Sequence, residues 1–269
     1  MTISVKNDLQ KSKKSKRNII ETTGVVSDMI RQTSNTKTLR ITTPFLDENQ
    51  SPFQFKPGQF VMVRPEIKNK MIPRAYSISS SPTRSMKKNG YFDLTVRQTE
   101  KPLVSKWLNE RKNGDEIQFR GPYGNFFWDE NDFHAEQLVL MGAGSGITPL
   151  KSILEYIHDK RYENKVELLY SCRYESEIIS KKELDELIKH TLNTKLILTL
   201  TRENEESKWP GHRGRLNKKL IENELRSNNF NLEKTKFYLC GTPDFVNAMI
   251  EILFDIGIKK QYILHEKWD

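Results

Sequence analysis

Cysteine is scarce in this chain of 269 residues: there are two, Cys172 and Cys240. Two thiolates cannot ligate an iron–sulfur cluster, which usually takes four, so electron transfer through a cluster of the chain's own is excluded. Both cysteines close apolar stretches, a disulfide is allowed but not required, and the cytoplasm is the expected compartment. Histidine is nearly as sparse, with five residues at no metal-ligand spacing, and no metal site is expected. No apolar run approaches the roughly eighteen residues that span a bilayer. The lysine-rich start, Met1 to Arg17, has no apolar core and does not read as a secretory signal. Internal repeats are absent, as are low-complexity segments past that start.

The second half has no excess of charge of either sign. Residues 1–17 hold six Lys/Arg and one Asp, residues 18–134 hold seventeen against thirteen, and residues 135–269 hold twenty-one of each. The net +9 therefore comes from a basic tail, net +5, and a first half carrying +4. A tail of this composition cannot support a core and is expected to be disordered over 1–18, an electrostatic arm toward an acidic partner or a membrane surface. No groove-reading or aromatic-interleaved basic motif accompanies it, so nucleic acid is not an expected partner. Hydrophobic residues make up 36% and charged residues 29%, enough for one large core or two ordinary ones.

The remainder has two grammars. From 19 to 132, short apolar strands near 19–31, 36–43, 59–66, 74–80, 90–98 and 115–120 alternate with turn residues, with one short helix near 104–110. Six strands at this spacing predict a small antiparallel barrel. From 133 to 269, strands at 137–142, 165–171, 195–201 and 235–240 alternate with helices near 148–160, 180–190, 216–226 and 243–256. That pattern predicts a parallel sheet covered on both faces. The fold class is thus β followed by α/β. Ligands of open parallel sheets sit outside the carboxyl ends of the strands. Here those ends carry Gly142 to Pro149, Cys172-Arg173, Thr201-Arg202 and Cys240-Gly241.

Gly142-Ala143-Gly144-Ser145-Gly146-Ile147-Thr148-Pro149 follows an apolar strand and opens a helix, the arrangement of a phosphate cradle. Arg74-Ala75-Tyr76-Ser77 lies upstream, where Arg74 offers a charged planar fork suited to a pyrophosphate. Gly121-Pro122-Tyr123-Gly124-Asn125-Phe126, Cys240-Gly241 and Glu266-Lys267-Trp268 follow in order. With these motifs on a barrel-then-sheet chain, the sequence resembles the ferredoxin–NADP⁺ reductase superfamily, in its compact form without a fused iron–sulfur domain, from about residue 19 to the C-terminus.

The resemblance implies an FAD-binding barrel domain over 19–132 and an NAD(P)-binding domain over 133–269. It implies flavin contacts from Arg74, Ala75, Tyr76 and Ser77, with the Tyr76 ring on the isoalloxazine and the Ser77 hydroxyl near the atom that receives hydride. The pyridine-nucleotide pyrophosphate is expected on Gly142, Gly144, Ser145, Gly146 and Thr148. Cys240 and Gly241 are expected beside the nicotinamide, and Arg173 at a strand end facing the nucleotide. Trp268 would stack where the nicotinamide must sit, or else plug the C-terminus. Glu266 would orient the nicotinamide amide or relay a proton. Ser77, Cys240, Glu266 and Trp268 are the expected catalytic residues. The family's Gly-x-x-Ser/Thr step reads here as Pro102-Leu103-Val104-Ser105, so only Ser105 matches. Arg97 is either a flavin-diphosphate contact or a solvated edge charge. FAD is expected rather than FMN.

Thr201-Arg202 and Gly214-Arg215 resemble the arginine pair that receives a 2′-phosphate, favouring NADPH over NADH, although both arginines could be ordinary surface charges near Glu203. The expected function is hydride transfer from NADPH to FAD and then electron transfer to a separate acidic carrier, ferredoxin or flavodoxin, by a monomer. An NADH-dependent reductase component of an oxygenase or cytochrome system is the alternative. A non-catalytic module on the same fold is the third reading, distinguished by a colourless purified protein.

Overall fold

The computed structural model describes residues 19–43, 52–87, 90–99, 102–132, 135–204 and 206–268. The basic tail 1–18 and the expected domain boundary after residue 132 lie at or outside the edges of those residues. The first half runs β1 (Ile20–Thr33), β2 (Thr36–Thr42), β3 (Phe60–Val63), the two-residue strands β4 (Glu66–Ile67) and β5 (Lys70–Met71), and β6 (Arg74–Ser77). A helical turn α1 (Pro82–Ser85), β7 (Tyr91–Arg97), α2 (Val104–Asn109) and β8 (Glu116–Tyr123) complete it. Six strands form one antiparallel sheet in the order β6-β3-β8-β1-β2-β7. A bridge between Ile78 and Leu94 brings its two edges together, so the sheet is a nearly closed barrel, as expected. Alternate residues such as Leu39, Ile41, Val61, Val63, Phe92, Leu94, Ile117 and Phe119 fill it, the period-two pattern that made the strands legible.

The second half runs β9 (Gln137–Ala143), α3 (Ile147–Lys160), β10 (Lys165–Cys172), α4 (Lys181–His190), β11 (Thr194–Leu200) and β12 (His212–Arg213). It continues through α5 (Lys218–Ser227), β13 (Thr235–Gly241), α6 (Pro243–Asp255) and β14 (Ile263–Lys267). All neighbours in the order β12-β11-β10-β9-β13-β14 are parallel. One face is covered by Leu150, Ile153, Leu154, Leu184 and Leu187 from α3 and α4, the other by Ile221, Leu225, Val246, Met249 and Leu253 from α5 and α6. Two strands exceed the four expected: β12, of two residues, and β14, whose Ile-Leu-His-Glu-Lys run is too short and polar to announce itself. Phe126 and Trp128, which the sequence places in the barrel half, pack into the core of the sheet.

Helix α3 staples the two halves together. Lys151, 6% exposed, donates from Nζ to the Ser79 carbonyl at 3.3 Å, and the buried Ser152 hydroxyl donates to the Ser80 carbonyl at 2.7 Å. Glu155 accepts the Ser81 amide at 2.6 Å, and Arg84 pairs with Asp159 at 3.1 Å. The residues directly after the 74–77 motif are therefore bonded to the helix that the glycine turn opens. Ser152→Ala leaves the Ser80 carbonyl buried without its donor. It is expected to lower stability by about 1–2 kcal/mol and the melting temperature by a few degrees, read by calorimetry.

Candidate functional site

The glycine turn links β9 to α3, and its three glycines do different work. Gly142 lies within the strand, where a Cβ would stand 2.9 Å from Leu150 Cδ1, so its bareness lets α3 pack. At Gly146 a Cβ would fall 2.1 Å from the Cys240 carbonyl oxygen, so the turn rests directly on the Cys240-Gly241 step. Only Gly144 has the positive φ, 53°, of a turn that opens toward a ligand. The expectation that all three glycines serve the approach of an anion is corrected accordingly. The Gly144 carbonyl accepts from the Tyr170 hydroxyl at 2.9 Å, which itself accepts the Ile179 amide at 3.3 Å. Tyr170 reads in sequence as one more residue of an apolar strand; a buried hydroxyl in need of a partner was its only signal.

Thr148 spends its hydroxyl proton on the Ser145 carbonyl at 2.9 Å, so its hydroxyl caps the turn. Ser145 is half-buried at the turn itself. Ser105 is buried within the first turn of α2, its hydroxyl accepting the Thr99 amide at 3.4 Å and lying 3.5 Å from the Thr99 hydroxyl.

The C-terminal strand completes the cleft. Glu266 is the register partner of Cys240. The Trp268 indole N–H donates to Cys240 Sγ at 3.2 Å, while its backbone N–H donates to the Gly241 carbonyl at 3.0 Å. The Trp268 ring meets Phe60 edge-on, centroids 6.2 Å apart, and Phe60 stacks on Tyr123 at 5.7 Å. Phe60 is the cross-strand partner of Ser77, so the two side chains share a face of the barrel. Ser77, Cys240, Glu266 and Trp268 thus lie along one seam between the sheets. Phe60 and Tyr123 belong to that seam and were not singled out in sequence.

Two polar atoms on this seam, Ser77 Oγ and Glu266 Oε2, are buried with no hydrogen-bond partner. Buried polar groups nearly always have partners, so both mark places where a ligand's polar atoms fit. Burial lifts the Glu266 carboxyl to about 7. Burial, then the nearby Glu266, drives the Cys240 thiol far up, so it stays protonated and is no nucleophile. Along β6, Arg74 is exposed, Ala75 half-buried opposite Met62, and Tyr76 packs its ring partly into the barrel core opposite Val61. Burial raises the Tyr76 hydroxyl to about 12, against the pull of Arg74. Arg97 does not stand free as an edge charge: its Nη2 pairs with Glu177 Oε2 at 3.2 Å across the seam.

Three exposed arginines sit at the ends of three adjacent strands: Arg173 after β10, Arg202 after β11 and Arg215 after β12. Thr201 and Arg202 donate their amides to the Cys172 and Arg173 carbonyls at 2.9 Å each, which fixes the rim. Glu203 turns its carboxylate onto the Glu175 amide at 3.0 Å.

The family model for the oxidoreductase FAD-binding domain matches residues 23–128, and that for the oxidoreductase NAD-binding domain matches residues 140–251. A glycine betaine monooxygenase reductase subunit of Pseudomonas aeruginosa is 31% identical over 210 residues, 78% of this chain and 55% of that one. NADH-cytochrome b5 reductase 1 of Cryptococcus neoformans is 32% identical over 205 residues, 74% and 67% of the respective chains. The chain spans little more than half the length of the first of these relatives. A crystal structure of a ferredoxin NADP⁺ reductase from Neisseria gonorrhoeae with bound FAD and NADP matches at TM-score 0.74 and 23% identity, covering 92% of this chain and 98% of that one. No helix among the described residues is long and apolar enough to cross a membrane.

Proposed function

Because the chain belongs to the ferredoxin–NADP⁺ reductase superfamily, an oxidoreductase with flavin- and pyridine-nucleotide-binding domains, we propose that it moves electrons from NADPH through FAD to a separate acidic carrier. That carrier is a ferredoxin or flavodoxin. The observation that carries the proposal is the seam itself, with two buried polar atoms unpartnered between a barrel and a nucleotide-type sheet. When bound, the flavin supplies acceptance of hydride and onward release of electrons.

The chain's own residues position and polarise. Arg74, exposed at the head of β6, holds a pyrophosphate through its planar fork. Tyr76 and the half-buried Ala75 form the wall behind it, and Ser77 Oγ offers a short donor on the seam. The Gly144 turn and the positive N-terminal end of the 14-residue helix α3 hold the nucleotide pyrophosphate. Trp268, lying over Cys240, covers the nicotinamide position and excludes water until a nucleotide displaces it. Glu266 holds a proton at its buried carboxyl. Arg202 and Arg215, with Arg173 beside them, have no side-chain partner among the described residues and are free to grip a 2′-phosphate.

The second reading is an NADH-dependent reductase component, favoured by the naming of NADH in the Cryptococcus relative and by Glu203 at the same rim. Anaerobic titration of the purified protein tests both. The expected result is a yellow protein bleached by NADPH, with kcat/KM for NADPH about tenfold or more above that for NADH. Two charge-assisted contacts, at about 1.5–3 kcal/mol each before desolvation, support at least that ratio. Equal or better NADH rates give the second reading, and a colourless protein that takes up no flavin sinks both. Replacing Arg202 and Arg215 by glutamine is expected to erase the preference without changing the NADH rate.

A further inference from the structure

The pair between Arg97 and Glu177 ties the barrel to the sheet at the mouth of the glycine turn. Arg97 ends β7, and Glu177 closes the short turn Glu175–Glu177 that follows β10. Their atoms are 3.2 Å apart, with side chains 27% and 25% exposed. Nη1 of the same guanidinium lies 3.3 Å from where a Cβ on Gly144 would stand, so the cation sits in front of the open face of the turn. One hydroxyl sets both sides: Tyr170 donates to the Gly144 carbonyl and accepts the Ile179 amide two residues beyond Glu177. Other contacts between the halves run from Lys151, Ser152, Glu155 and Asp159 further along α3, from Gln32 to the Ser180 amide and the Glu183 carboxylate, and from Phe60 to Trp268. Among the described residues only Arg97 brings a cation to the face of Gly144.

A pyrophosphate at Gly144 therefore meets a guanidinium already bonded to a carboxylate, and that carboxylate repels it as well. We propose that Glu177 sets affinity: it competes with a dinucleotide pyrophosphate for Arg97 and holds binding weaker than Arg97 alone would make it, so that the dinucleotide leaves readily. This rests on the reading of the site as a dinucleotide cleft. The pyrophosphate at this place belongs either to the pyridine nucleotide or to the flavin, and the measurements below separate the two. Glu177 touches no reacting atom and is a positioning residue.

The test uses the full chain with Glu177→Gln, Glu177→Ala, Arg97→Gln and the Arg97→Gln/Glu177→Gln pair. Dissociation constants are measured for NADPH, NADH and FAD, together with the flavin-reduction rate at saturating nucleotide. Both Glu177 variants are expected to tighten binding roughly threefold to tenfold with the saturating rate unchanged, a split that a merely structural role would not produce. Arg97→Gln weakens the same ligand, and in its background Glu177→Gln has a smaller effect, the part due to direct repulsion alone. Tightening confined to NADPH and NADH assigns the pyridine nucleotide; tightening confined to FAD assigns the flavin; either supports the proposal. Constants within twofold of wild type for all three ligands, or weaker binding in both Glu177 variants at an unchanged melting temperature, overturn it while leaving the functional reading intact. A wild-type protein that binds neither flavin nor nucleotide overturns both.

Discussion

Gly146→Ala is expected to reduce NADPH-dependent flavin reduction by at least about 100-fold while the protein keeps its yellow colour. The added methyl would lie 2.1 Å from the Cys240 carbonyl oxygen, 2.5 Å from its carbon and 2.8 Å from the Gly241 nitrogen. These are backbone atoms of a central strand paired on both sides, so they cannot step aside as a side chain would. The turn must lift off β13, carrying the Gly144 carbonyl away from Tyr170 and re-aiming the first amides of α3. A displacement near 1 Å is enough to forfeit about two orders of magnitude in a reaction that depends on placement. Stability should fall by about 1–3 kcal/mol from the overpacking. Flavin retention should survive, because the barrel has its own core. Gly142→Ala is the control: its added methyl meets the end of the Leu150 side chain, which can rotate, and its loss should be much smaller. Stopped-flow reduction of both variants decides the matter, and wild-type rates in Gly146→Ala would refute the assignment of this turn.

The second large effect is expected at Glu266. Burial raises its carboxyl to about 7, whereas the unfolded chain titrates near its ordinary value of 4.5. The folded state therefore keeps a proton that the unfolded state has released. The associated stability is fully present below the unfolded value, is lost as pH rises through the folded one, and stays lost above it. The loss is on the order of 2 kcal/mol once solvent screening of a half-buried group is allowed for. Glu266→Gln, neutral throughout, should flatten this part of the melting profile between about pH 5 and 7. The same proton makes Glu266 the group suited to relay on the seam, since general acid–base roles contribute about 10²–10⁴-fold and work best near the operating pH. We expect Glu266→Gln to lower kcat with an external electron acceptor by about 100-fold and to remove the titration near 7 from the rate profile. A variant that keeps its rate and loses only the titration would make Glu266 an orienting contact. An unchanged profile would take it out of the site.

The strands and helices were legible because their signals are local. Alternation marked the barrel strands, and the switch to strand-then-helix marked the sheet to within a few residues of β9, β10, β11 and β13. Helix α1 stayed hidden: Ser81-Pro82 reads as a break, yet Ser81 caps Thr83 and opens one helical turn. Strand β14 stayed hidden because its five residues, Ile-Leu-His-Glu-Lys, are too few and too polar to mark a strand.

The sequence alone determined the two architectures, their order, the glycine turn and the cluster of motifs at strand ends, since each depends on residues within one turn or one strand of one another. Tertiary structure decided which of those residues face a ligand. Two glycines of the turn serve packing, the Thr148 hydroxyl is spent on the Ser145 carbonyl, the Ser105 hydroxyl accepts the Thr99 amide, and Arg97 is held by a carboxylate eighty residues away. The clamp from α3 to Ser79 and Ser80 spans 72 residues. Such contacts are set by how whole sheets dock, and no periodicity within a strand or helix encodes them.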